Sequence, residues 1–291
     1  MKVTGFTFIR NAVKYDYPIV EAIRSILPLC NEVIVNIGNS DDETDALIRS
    51  IQSSKIKIYN SIWNDDLREG GFVLAEETNK ALAHVSADAD WCIYIQGDEV
   101  IHEQYYPAIR TAMEKYKDDF RVEGLLFKYV HFYASYDYIG DSRKWYDREI
   151  RIIRNDKSIR SYRDAQGFRK DGRKLHVKEI DAYVYHYGWV KHPSFQLKKI
   201  NDFGKLWRKE GDPEQKIPVI AGSSYDYSEI DSLELFKGTH PAVMQDRVKS
   251  KNWSFDFDIS RKKFSLSKRI LYWIEKMTGK RLFNYENYER I

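Results

Sequence analysis

Two adjacent carboxylates, Asp98 and Glu99, follow a run of apolar and aromatic residues, Trp91-Cys92-Ile93-Tyr94-Ile95, that breaks at Gly97. Carboxylates are hard oxygen donors, suited to a magnesium or manganese ion that in turn holds a diphosphate. The plain alternative is a turn after a strand, because Gly-Asp is ordinary turn chemistry. Further along stand a lone histidine among tyrosines, His186, and four arginines, Arg148, Arg151, Arg163 and Arg169. Guanidinium forks match phosphate oxygens, although arginines on a strand face are equally at home in solvent. His186 is a metal ligand if its strand faces the same cleft, and a hydrogen-bonded core residue otherwise.

These residues need a frame that brings them together. Trp91 to Ile95 reads as a buried strand that delivers Asp98 and Glu99 to the carboxyl edge of a sheet, where open α/β sheets bind ligands. Upstream, strand-like runs at Val3 to Ile9, Val33 to Ile37 and Ile56 to Tyr59 alternate with helical spacings. Ile19, Ala22, Ile23 and Ile26 fall on one helix face, Leu47, Ile48 and Ile51 on a second, and Leu74, Thr78, Ala81 and Val85 on a third. The order predicts a parallel sheet with helices on both faces and right-handed crossovers. Arg148 to Arg154 alternates charged with apolar residues, as a half-exposed strand does, and Ala182 to Tyr187 reads as a further strand. Between them, Ser161 to Arg169 is too polar for a core and too aromatic for a linker, which predicts a functional loop.

From His192 the pattern changes. Ile200, Phe203, Leu206 and Trp207 predict a helix, and residues 211–265 give weak periodicity. Leu266, Ile270, Trp273, Ile274 and Met277 then form an apolar stripe among lysines and arginines, ended by Gly279. Such a stripe packs on its own chain or a second subunit, or else lies on an anionic membrane surface. The reading is therefore a domain at 1–192 and a helical or irregular extension at 193–291.

Across 291 residues, 47 Lys and Arg stand against 44 Asp and Glu, a balance that argues against nucleic acid as the default partner. The 21 tyrosines and 7 tryptophans suit sugar or nucleobase recognition as well as packing. Cys30 and Cys92 read as reduced core thiols. With no leader-like start and no apolar stretch long enough to span a bilayer, the expected location is the cytoplasm, or the periphery of the inner membrane.

Several short motifs now fall in order: Arg10-Asn11, Val35-Asn36 with Asp41-Asp42-Glu43-Thr44, Gly70-Gly71, Thr78-Asn79, and Gln96-Gly97-Asp98-Glu99. In that order the chain resembles the family 2 glycosyltransferases of the GT-A fold, over roughly its first two hundred residues. The resemblance implies an α/β fold with a mostly parallel central sheet flanked by helices. It implies transfer of a sugar from a UDP- or GDP-sugar to an acceptor hydroxyl, normally with inversion and with Mn2+ or Mg2+. Arg10, Asn11, Asn36 and Asp42 would then lie near the nucleoside, Arg68, Asn79 and Gln96 near the diphosphate and sugar, and Asp98 on the metal with His186 as a further ligand. Two positions depart from the family pattern, with Gln96 and Asn36 each standing where it usually has an Asp. A bacterial subgroup shares the Gln. Many members build surface glycans from lipid-linked acceptors, which sets the expected acceptor class.

Inverting transfer also requires a general base for the acceptor hydroxyl. Asp164 is the first candidate, because its distance ahead of Tyr185-His186-Tyr187 resembles where related enzymes place a catalytic acid. Glu149 is the second, beside arginines expected to keep it ionised. For either residue the bland reading is a salt-bridged carboxylate. Two rival functions remain: a nucleotidyltransferase, disfavoured by the absence of glycine from Arg10 to Tyr15, and a degenerate member that binds a nucleotide-sugar or a partner without turnover.

Overall fold

β1 (Val3–Ile9), α1 (Ile19–Ile26), β2 (Glu32–Gly38), α2 (Thr44–Arg49), β3 (Ile56–Ser61), α3 (Phe72–Ala83) and β4 (Trp91–Tyr94) follow one another in the expected alternation. The computed structural model describes residues 1–67, 69–204 and 222–291. Strands β4, β1, β2 and β3 lie side by side in that order and all run parallel. Because strand residues alternate between faces, Val33 and Val35 of β2 point one way and Ile34 the other. The first face is covered by α1 and α2, whose Ile19, Ile23, Ile26 and Ile48 are fully buried. Each such side chain contributes about 1.5–3 kcal/mol relative to leaving it in water. The second face, with Phe6 and Tyr94, packs against Ala81 of α3.

The chain continues through β5 (Glu99–Ile101), α4 (Tyr106–Lys115), β6 (Gly124–Tyr133), β7 (Ser135–Gly140) and β8 (Arg148–Arg154). Instead of a half-exposed strand, β8 is an interior one, antiparallel to β4 on one side and to β6 on the other. Its arginines are compensated from inside the fold: Arg151 is fully enclosed against Glu99, and Arg154 donates to the carbonyls of Lys117, Val122 and Asp119. Alternation in β8 records two kinds of buried partner, not core against solvent.

The expected loop from Ser161 to Arg169 is mostly ordered strand. β9 (Ile159–Tyr162), β10 (Gly167–Lys170) and β11 (Arg173–Lys174) form a small antiparallel sheet. Only 163–166 turn, with Arg163 and Ala165 at φ of 56° and 62°. β12 (His176–Trp189) then runs parallel to β6 and antiparallel to β5, pairing His186 with Glu99.

After residue 192 come α5 (Pro193–Phe203), β13 (Leu233–Leu235), α6 (Gln245–Lys249), α7 (Leu266–Thr278) and β14 (Glu289–Arg290). β13 adds to the sheet beside β7 and β14 beside β12. Of the residues that predicted a helix after His192, Ile200 and Phe203 fall in α5, whereas Leu206 and Trp207 lie outside the described residues. α7 ends at Gly279, whose φ of 67° suits glycine. Of the alternatives for its apolar stripe, packing on its own chain is not seen at Leu266, Ile270, Trp273 and Met277, which are exposed, and Ile274 is half-buried. Cys30 and Cys92 are buried and unpaired, and no described helix is long and apolar enough to cross a membrane.

Candidate functional site

β1 and β4 run parallel, Phe6 pairing with Tyr94, so both point their carboxyl ends to the same edge of the sheet. The segments leaving them, with Arg10 from one and Gln96, Gly97 and Asp98 from the other, wall a cavity of about 310 Å³. Phe8, Tyr17, Trp63 and Tyr146 give it aromatic walls, and Lys199 and Asp164 also line it.

The two adjacent carboxylates part company here. Glu99 is fully buried and held as a bidentate partner by Arg151, with Oε1–Nη2 at 2.7 Å and Oε2–Nε at 2.8 Å. It also accepts from the Tyr129 hydroxyl at 2.7 Å and from the Gln96 amide at 3.1 Å. No lone pair of Glu99 is left for a ligand, so its role is to fix the turn. Asp98 faces the cavity, where its Oδ2 meets Lys199 Nζ at 3.3 Å and His186 Nε2 at 3.8 Å. Burial pushes the Asp98 carboxyl up, but Lys199, with His186 and Lys191 behind it, outweighs that and holds it at about 2. Gly188 makes the room, because a Cβ there would stand 2.6 Å from Asp98 Oδ2 and 2.8 Å from the His186 ring.

A second histidine, His131, sets the state of the first. His131 Nε2 lies 2.7 Å from the Tyr146 carbonyl, which only accepts, so that nitrogen carries hydrogen. Burial holds the His131 imidazole well below its ordinary value, so the ring is neutral and its Nδ1 is an acceptor. His186 Nδ1, 3.3 Å away, must then be the donor, which leaves the His186 Nε2 lone pair aimed at Asp98. An imidazole lone pair and a carboxylate oxygen at 3.8 Å suit a cation between them, the arrangement of a metal-ligating histidine oriented by its second nitrogen. The donor set fits a divalent ion that takes its remaining ligands from water and a diphosphate, as magnesium commonly does. Asp98 and His186 are two donors only; among the described residues no group of three His, Cys, Asp or Glu is placed to hold an ion.

Asp164 and Glu149 occupy different environments. Asp164, at the tip of the β9–β10 hairpin, lines the cavity and makes no hydrogen bond or ion pair among the described residues. Glu149 is enclosed beneath that hairpin, away from the cavity wall, with Oε2 lacking a partner. The arginines expected to keep it ionised do not prevail: burial outweighs Arg151 and raises the Glu149 carboxyl to about 8.

The remaining predicted residues divide between the wall and its supports. Arg10 lines the cavity, paired with Asp65 at 2.8 Å and lying over the Trp63 ring. Gln96 also lines it, its side-chain amide donating to the Ala165 carbonyl and so tying the turn before Asp98 to the hairpin tip. Asn11, Asn36, Asp42 and Asn79 do not line it. Asn11, at φ 56°, accepts from the Asp41 amide at 2.8 Å and joins the loops after β1 and β2. Asp42 accepts from the Lys14 and Thr44 amides. Asn36 donates to Ser61 and Glu77 inside the α3 face, and Asn79 exchanges two hydrogen bonds with the Ser161 backbone. Arg68 lies outside the described residues. Arg148, Arg151, Arg163 and Arg169 are all off the cavity wall.

Sequence reasoning missed Lys199, Lys191, His131 and Trp63. Lys191 is fully buried, donates to the Tyr15 carbonyl at 2.6 Å and sits over the Tyr17 ring, and burial pushes its ammonium well below the ordinary value. A lysine two places from the apolar position Leu197 of α5 carries no signal of its own, and His131 lies 55 residues from the partner that gives it meaning.

No family model matches this chain, and no curated protein does. Solved structures resemble it at low level. TarS of S. aureus, residues 1–349 in complex with UDP, is 15% identical over 71% of this chain and 65% of that one, with a TM-score of 0.41. Glucosyl-3-phosphoglycerate synthase of Mycobacterium tuberculosis, in complex with Mn2+, UDP and phosphoglyceric acid, is 21% identical over 45% of this chain and 43% of that one, TM-score 0.30. A 4-diphosphocytidyl-2C-methyl-D-erythritol synthase of Anaerococcus prevotii is 10% identical over 53% and 71%, TM-score 0.34. This chain thus spans about two thirds of the TarS structure and less than half of the glucosyl-3-phosphoglycerate synthase. Likenesses this low assign neither activity nor ligand, and function has to be argued from the cavity.

Proposed function

We propose that this protein is a family 2-type glycosyltransferase of the GT-A fold, moving a sugar from a nucleoside-diphosphate-sugar to an acceptor hydroxyl with inversion. The observation that carries the reading is one cavity lined by an ionised Asp98, the ammonium of Lys199 and an unpaired Asp164, with the His186 imidazole 3.8 Å from the Asp98 carboxylate. A cationic end suits a diphosphate, and the aromatic side near Phe8 and Trp63 suits a nucleobase. A Mn2+ or Mg2+ ion held by Asp98 and His186 would offset charge on the departing diphosphate.

In this reading Lys199 is the protein's own cation at the diphosphate, and Asp164 takes the acceptor proton as the oxygen attacks the anomeric carbon and the nucleoside diphosphate leaves. Enclosure of Glu149 and its raised carboxyl favour Asp164 over it as base at neutral pH. The acceptor class that goes with this reading is a bacterial surface glycan or its lipid-linked precursor.

The test is calorimetric titration of UDP, GDP and their sugar conjugates, with and without manganese, on the wild type and on Asp98→Ala. Metal-dependent binding that the substitution removes supports the reading and names the nucleotide. Absence of binding by every nucleotide in both conditions overturns it.

A further inference from the structure

Helix α7 is seated on its own chain by its polar side. The Tyr272 hydroxyl donates to Asp141 at 2.8 Å, and Glu275 accepts from Arg143 at 2.7 Å. The other side carries Leu266, Ile270, Trp273 and Met277, exposed by 76%, 53%, 62% and 73%. At 100° per residue these four fall within an arc of about 60°. No core cluster includes any of them, and the Trp273 indole N–H has no partner among the described residues. The chain just past the helix is also apolar and open, with Phe283 exposed by 93%.

Charge around this face is one-sided. Residues 261–281 contain eight lysines and arginines and a single acid, Glu275, which Arg143 already engages. Lys268, Arg269 and Lys280 are exposed and form no ion pair among the described residues, and Arg269 stands about 70° from the middle of the apolar arc. A second copy of this chain would bring the same cations against them, an unfavourable match. An apolar stripe with tryptophan, rimmed by unpaired cations, complements a surface that is apolar below and negative above.

From this we infer that α7 docks the protein on an anionic lipid bilayer, with Leu266, Ile270, Trp273 and Met277 inserted at the headgroup boundary and Arg269 and Lys280 on lipid phosphates. The inference stands on α7 alone and does not depend on the transferase reading.

Co-sedimentation of the full chain with vesicles tests it, comparing equal parts of phosphatidylcholine and phosphatidylglycerol with phosphatidylcholine alone. The protein is expected to pellet with the mixed vesicles, to be released by salt, and to stay in solution with the neutral ones. The double variant Ile270→Ser, Trp273→Ser and the charge reversal Arg269→Glu, Lys280→Glu should each weaken partitioning by about tenfold or more. All four side chains are exposed, so both variants should keep the wild-type circular dichroism and melting midpoint. Failure to pellet with either vesicle overturns the inference, as does equal binding to both. So does a dimer, seen by light scattering, that Trp273→Ser dissolves while leaving vesicle binding unchanged.

Discussion

Replacing Glu149 by Gln separates the two candidate bases and reads the interior of the fold at once. Glu149 is 3% exposed, has one carboxylate oxygen without a partner, and titrates at about 8 instead of 4.5. A carboxyl whose value is raised by folding is protonated in the native protein while the unfolded chain has already lost the proton. Stability from this group is therefore full below the unfolded value and falls as pH climbs toward the folded one, at about 1.4 kcal/mol per pH unit. From about pH 5 to about pH 8 the wild type should lose about 3 kcal/mol that Glu149→Gln, neutral throughout, retains. Urea denaturation of both proteins across that range measures the difference directly. Two curves that stay parallel with pH would refute the argument, since the carboxylate would then be ionised in the fold. If Glu149 only supports the hairpin, Glu149→Gln also keeps the transfer rate near neutrality within about twofold, whereas loss of the base should lower it by about a hundredfold or more.

Asp164→Asn should abolish transfer and leave nucleotide binding intact by calorimetry; an unchanged rate removes Asp164 from the role of base. Glu99→Ala strands the fully enclosed Arg151 guanidinium, which should cost about 3–5 kcal/mol in urea unfolding, and a loss under about 1 kcal/mol would mean that Arg151 finds another partner. His131→Ala frees the His186 ring to turn, so manganese affinity should fall by about 10–100-fold, and unchanged affinity would show that the tautomer is set elsewhere. Lys199→Ala takes an ammonium off the Asp98 oxygen, so manganese added without nucleotide should bind about tenfold tighter, and weaker binding would show that Lys199 does not compete for that oxygen.

How much of this was legible in the sequence depends on the distance over which each signal acts. The alternating first half could be read because it is local: Ile19, Ile23 and Ile26 repeat at helical spacing, and short hydrophobic runs mark β1, β2 and β4. Asp98 stood out for the same reason, at the end of a buried strand. Glu99, its neighbour and equal by sequence, serves the fold instead, because Arg151 reaches it from 52 residues away. The same long reach explains why β8 looked half-exposed. Its acid and arginines alternate with isoleucines as a solvent face would, yet Arg151 meets Glu99, Arg154 meets carbonyls of the link between α4 and β6, and Glu149 is left enclosed with a raised carboxyl. Charge in a sequence shows what must be compensated and not what compensates it. Where compensation is complete, as at Glu99, the residue is scaffold, and where a charge faces a cavity with another donor beside it, as at Asp98 and His186, it is available to a ligand.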